Sequence, residues 1–126
     1  MKITILPRRG IRMNEVWFST AYGEGKGIWQ GTAVPPGTEL EAEFELTALF
    51  MRWVDIVPAT GSETGIRVEG EQVVLTGILE NIEADGTGYL RIGSDLIMFE
   101  CLGEPMMLGG LVDMYTRELE LYPVNL

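Results

Sequence analysis

The chain has 126 residues, with nine basic and nineteen acidic side chains, no histidine and a single cysteine. That length suits one domain, residues 1–126, whose core needs neither metal nor disulfide to support it. With 46% hydrophobic and 22% charged residues the composition is that of a globular protein; no run approaches the roughly 18 uncharged apolar residues of a membrane helix, and one cysteine excludes an internal disulfide.

Lys2 to Leu6 alternates and is stopped by Pro7, so it is expected to be a first strand. Four apolar-type residues before a proline and two arginines are too few for a secretion signal, and a lone cysteine suits a reducing compartment. A cytoplasmic protein is expected. Val16-Trp17-Phe18 has strand propensity, and Ile28-Trp29-Gln30 reads as the returning strand of a hairpin within residues 11–34. Between them the alternating glycines Gly23, Gly25 and Gly27 predict an irregular, flexible tip. Pro35-Pro36-Gly37 is the clearest breaker.

Thr38 to Leu46 has strict period two, with Glu39, Glu41, Glu43 and Glu45 on one face and Leu40, Ala42, Phe44 and Leu46 on the other. That is a half-buried strand with a solvated face. Residues 46–57 fit either a helical spacing or a bent continuation of the strand, and the bent strand is slightly preferred. Pro58 to Gly65 is a polar loop, and Ile66 to Glu69 is a short strand. Three strands then follow as a meander, Val73–Ile82, Tyr89–Ile92 and Leu96–Leu102, joined at Asp85-Gly86 and Gly93-Ser94-Asp95. Gly103 to Gly110 is a loop, and Leu111 to Tyr122 reads as one closing strand. The total is seven or eight strands and at most one short helix. The fold class is therefore all-β, a small antiparallel barrel or sandwich. The long first strand of the meander, its interior Gly77 and the closing strand resemble an OB-like, partly open barrel over residues 66–123. This is a likeness of pattern that rests on no family motif.

Without histidine there is no imidazole base, no Ser-His-Asp or Cys-His pair and no histidine metal ligand. No catalytic residue, cofactor or metal is expected. Cys101, inside Ile97–Leu102, reads as a small core residue. Asp85-Gly86-Thr87-Gly88 lacks the spaced carboxylates of a calcium loop and reads as a turn, and Gly23–Gly27 lacks the frame of a phosphate loop.

Charge is uneven. Residues 1–36 carry five basic and two acidic groups, a net +3, and the other 90 carry four basic and seventeen acidic, a net −13. An acidic body repels nucleic acid and anionic membrane, and it suits a basic protein partner. The first expectation is a non-catalytic interaction module, of the kind that inhibits or confers immunity to a basic protein, with Glu39, Glu41, Glu43, Glu45, Glu118 and Glu120 as the binding face. The alternative is an OB-like binder of single-stranded nucleic acid or a small ligand, through Arg8, Arg9, Arg12, Trp17, Tyr22, Lys26 and Trp29. Self-pairing through exposed strand edges stays open beside both.

Overall fold

Period-two alternation becomes pleat in each place where one face of a strand is apolar. The computed structural model describes residues 1–7 and 12–124 and contains no helix among them. Among the described residues twelve strands run in chain order: β1 (Lys2–Ile5), β2 (Glu15–Thr20), β3 (Gly23–Trp29), β4 (Glu39–Leu46), β5 (Leu49–Met51), β6 (Ile56–Pro58), β7 (Gly65–Glu69), β8 (Gln72–Ile82), β9 (Thr87–Ile92), β10 (Asp95–Leu102), β11 (Leu111–Thr116) and β12 (Leu119–Pro123).

Five of these close a barrel, and the other seven lie outside it. Going round, β1 pairs antiparallel with β2, β2 with β3 and β1 with β4; β12 joins β4 antiparallel and β3 parallel, which closes the ring. Ile3, Ile5, Phe18, Trp29, Leu46, Leu119 and Leu121 fill it, and the rings of Phe18 and Phe44 meet edge-on at 5.4 Å. The meander of β8, β9 and β10 stands beside this ring. β11 pairs with β8, and β5 with β10.

Four expectations need correction. The helix alternative for residues 46–57 fails: the chain bends after β4, forms β5, turns at 52–55 and forms β6. The expected strand 111–122 is two strands, because Arg117 and Glu118 carry the chain from one ring to the other. The ring that closes by pairing throughout uses residues 2–46 with 119–123, not the meander region.

The last correction concerns the glycines, which build a strand where an irregular tip was expected. A methyl at Gly25 would stand 2.7 Å from Cζ of Phe18, and one at Gly27 would stand 2.7 Å from the carbonyl oxygen of Leu119. The missing side chains let Phe18 and β12 close against β3. Gly27→Ala is therefore expected to cost about 1–3 kcal/mol by overpacking a backbone seam. An unchanged urea midpoint would show that the seam yields freely.

The outer strands repeat the architecture of the barrel. The β2–β3 register runs from Glu15 opposite Ile28 to Thr20 opposite Gly23, and that of β9–β10 from Thr87 opposite Glu100 to Ile92 opposite Asp95. Adding 72 to the first set reproduces the second. Lys2, Ile3 and Thr4 face Glu41, Leu40 and Glu39; Thr76, Gly77 and Ile78 face Asp113, Val112 and Leu111 in the same order. β8 thus answers to β1, β9 to β2, β10 to β3 and β11 to β4. The fifth position, held by β12 in the barrel, is shared by β5, parallel to β10, and β6, antiparallel to β11. The turn at 52–55 lies between them, with Arg52 bridged to Ile56 and Trp53 at φ 72°.

The fifth strands are exchanged. The chain leaves β4 of the first ring to supply β5 and β6 to the second, and leaves β11 of the second to supply β12 to the first. One hydrophobic cluster runs through both rings.

Candidate interaction face

On β4 the burial follows the sequence: Glu39, Glu41, Glu43 and Glu45 are exposed, while Ala42 and Leu46 are buried. β12 lies alongside in antiparallel register, so Glu120 stands directly opposite Glu45 and Tyr122 opposite Glu43. Glu118 projects just before β12, its carboxylate 3.4 Å from the Thr47 hydroxyl. The six predicted glutamates thus share one surface across two neighbouring strands. Part of their charge is met locally. Lys2 lies 3.7 Å from Glu39, and the amine of Met1 lies 3.3 Å from Glu41 and 3.1 Å from Asp95. Gln30 donates a hydrogen bond to Glu120. Burial, then the charges of Glu120 and Glu45, hold the Tyr122 phenol above its usual range. Like charges directly opposite one another oppose pairing, so Glu45→Lys is expected to gain about 0.5 kcal/mol. A lower urea midpoint in that variant would refute the repulsion.

Of the described members of the alternative set, Arg12 and Trp17 lie beside Lys26, while Trp29 and Tyr22 belong to the core. Arg8 and Arg9 lie outside the described residues. Trp29 is buried, and its indole N–H donates to the carbonyl of Thr32 at 2.8 Å. Tyr22 packs against the core. Trp17 is half-buried beneath Lys26, whose ammonium is 5.5 Å from the ring centre. Arg12 and Lys26 line a separate cleft of about 330 Å³ together with Glu15, Glu71 and Arg117.

Cys101 is buried, and burial raises the pKa of its thiol, opposed by the charge of Arg52. Its thiol is expected to react with iodoacetamide only as the protein unfolds. Rapid alkylation of folded protein would contradict that packing. At the Asp85 turn, the carboxylate accepts from the Thr87 N–H at 2.9 Å, and that bond holds its pKa below the ordinary range. The bond is that of a hairpin turn.

One face went unread in the sequence. On β10 the inward residues Ile97, Phe99 and Cys101 are buried, but Leu96, Met98 and Leu102 on the outer side are apolar too and lie open. Leu49 and Met51 of β5 extend this surface, since Glu100 pairs with Leu49 and Leu102 with Met51. The signal was the nearly unbroken apolar run Leu96–Leu102, which suits a strand covered on both faces. A cleft of about 380 Å³ joins this apolar surface to the glutamate row. Glu43, Phe44 and Glu45 line one wall of it, and Asp95, Leu96, Ile97 and Met98 the other. Among the described residues no helix is long and apolar enough to cross a membrane. No family model, no curated protein and no solved structure matches this chain.

Proposed function

We propose that the chain is a non-catalytic binding module for a basic protein, acting in the cytoplasm as an inhibitor or immunity-type partner. The observation that carries this reading is the convergence of Glu39, Glu41, Glu43, Glu45, Glu118 and Glu120 on one surface of β4 and β12. The surface keeps most of its charge, because only Glu39 and Glu41 have cationic neighbours among the described contacts. Concentrated negative potential speeds encounter with a cationic partner and makes binding sensitive to salt. The test is capture on immobilised protein at low salt, beside a Glu43→Lys, Glu45→Lys, Glu118→Lys, Glu120→Lys variant. Basic proteins should be retained by the natural chain, released at high salt and ignored by the variant. Equal retention on both would eliminate the reading.

The OB-like alternative draws support from two features. The ring order places the first and fourth barrel strands side by side and the third and fifth parallel. Trp17 beneath Lys26 is also a stacking surface beside a cation. A change in tryptophan fluorescence with oligonucleotide at low salt is its test; a silent titration removes it.

A further inference from the structure

The large apolar side chains left open gather on the second ring. Leu49, Met51, Trp53, Leu96, Met98 and Leu102 are each 44–59% exposed, and they belong to β5, β10 and the turn at 52–55. The pleat turns Leu96, Met98, Glu100 and Leu102 to the outer side of β10, because Ile97, Phe99 and Cys101 fill the inner one. Register carries the surface sideways: Leu49 stands beside Glu100, and Met51 beside Leu102. Trp53 extends it past the end of β10, where its indole N–H donates to the Pro105 carbonyl at 3.2 Å. Trp53 keeps that place at φ 72°, a conformation that the ring's other turns give to glycine.

What lies open is a face and not an edge. Beyond β5, the Met51 N–H donates to the Asp55 carboxylate at 2.8 Å and the Met51 carbonyl accepts from the Asp55 N–H at 2.8 Å, so the turn closes that side. β9 pairs along the other side of β10. At about half exposure, six side chains of this size leave on the order of 500 Å² of apolar area in water. A standard interface takes about 800 Å² from each partner, and a homodimer interface is about 65% apolar, which asks for roughly the same 500 Å². The face has the area of one half of a dimer interface.

Charge selects the occupant. Arg91, opposite Leu96, is already held by Glu80 at 3.0 and 3.1 Å. Glu100 is the one charge set among the apolar side chains, and no described residue pairs with its carboxylate. A basic protein finds a single carboxylate here, against six on the surface of β4 and β12. The apolar face suits a partner recognised by area, and a second copy of the chain presents that same area.

We infer that the outer face of β10 and β5 packs against the same face of a second copy, as two sheets stacked about a two-fold axis. It concerns a surface other than the glutamate row and holds whether or not that row binds a basic protein. Stacked sheets lie about 10 Å apart, close enough for the side chains of both faces to interdigitate. An axis through the middle of β10 sets Leu96 of one copy towards Leu102 of the other. It also brings the two Glu100 carboxylates near each other, an arrangement that costs affinity.

The test is sedimentation velocity of the full chain over a concentration series, in low and in high sodium chloride. A dimer is expected, and salt should tighten it, because each copy carries a net charge of −10. Glu100→Gln removes like charges beside the axis and should lower the dissociation constant by roughly fivefold. Met98→Glu and Leu102→Glu place charge in the apolar centre, and each should raise it by roughly a hundredfold. Both positions are exposed in the single chain, so the urea midpoint of either variant should match the parent's at a dilution where all are monomeric. A monomer at every concentration and salt would overturn the inference. A dimer that both glutamate variants leave intact would overturn it as well, by placing the interface elsewhere. Loosening by salt or by Glu100→Gln would count the same way, since it would mean that a cation meets Glu100. If the chain stays monomeric and a basic protein retained by the parent is lost in Met98→Glu, the face belongs to that protein and the dimer is overturned.

Discussion

Leu121→Ala and Phe50→Ala are each expected to cost about 3 kcal/mol, and each to weaken both rings together. Leu121 is fully buried on β12, opposite Trp29 of β3 and Phe44 of β4. Phe50 holds the equivalent place on β5, opposite Cys101 and edge-on to Phe99 at 5.9 Å. Each truncation leaves a cavity at the point where an exchanged strand closes a ring. Neither ring is complete without a strand that the chain supplies after passing through the other, so partial unfolding of one withdraws a wall of its neighbour. A Trp53→Phe background leaves Trp17 and Trp29 as fluorescence probes of the first ring, while the Cys101 thiol probes the second. Urea curves from fluorescence and from thiol reactivity should coincide in the parent and move together in both variants. Two separated midpoints would show that the rings unfold independently and that the exchange couples nothing.

The legibility of this fold follows from how local its causes are. β4 was readable because one of its faces is solvated: the pleat alone separates Glu39, Glu41, Glu43 and Glu45 from Leu40, Ala42, Phe44 and Leu46. The meander was readable because its turns are short and carry residues that accept positive φ, Gly86 and Gly93. β3 was not, since its glycines are explained by what approaches them, Phe18 from β2 and Leu119 from the far end of the chain. The break between β11 and β12 is marked only by the consecutive polar residues Thr116, Arg117 and Glu118, with no glycine or proline, while the backbone changes rings. The repeat was invisible for a related reason. Equivalent positions share burial but not identity, as with Trp29 and Cys101 or Leu121 and Phe50. Pairing partners far apart in sequence are chosen by packing, which local pattern does not encode. The same limit applies to the candidate face. Its glutamates announce themselves by spacing, whereas the apolar surface of Leu96, Met98 and Leu102 emerges only once β10 has its neighbours.

Asp113→Ala is expected to cost about 2 kcal/mol, through a buried hydrogen bond that loses its acceptor. The Asp113 side chain is 7% exposed at the centre of the second ring's wall, where it accepts from the Thr76 hydroxyl. Arg67 reaches across from β7, 3.2 Å from the same hydroxyl and 3.7 Å from the carboxylate. Arg67 is about half exposed and also bonds Glu69 at 3.2 Å, so solvent and a second carboxylate soften the loss of its ionic contact. The larger part of the cost falls on Thr76, whose hydroxyl is left as a buried donor without its acceptor. Asp113→Asn keeps an acceptor at that place and should recover more than half of the loss. Glu41→Ala, at the equivalent register position opposite Lys2, should cost well under 1 kcal/mol, because that carboxylate is half exposed. The contrast is the decisive part, read as three urea midpoints on otherwise identical protein. Equal losses at Asp113 and Glu41 would mean that burial adds nothing to the bond between Asp113 and Thr76. A large loss at Asp113 beside a small one at Glu41 places the stability in the buried bond between Asp113 and Thr76, at a register position whose counterpart in the first ring lies in solvent.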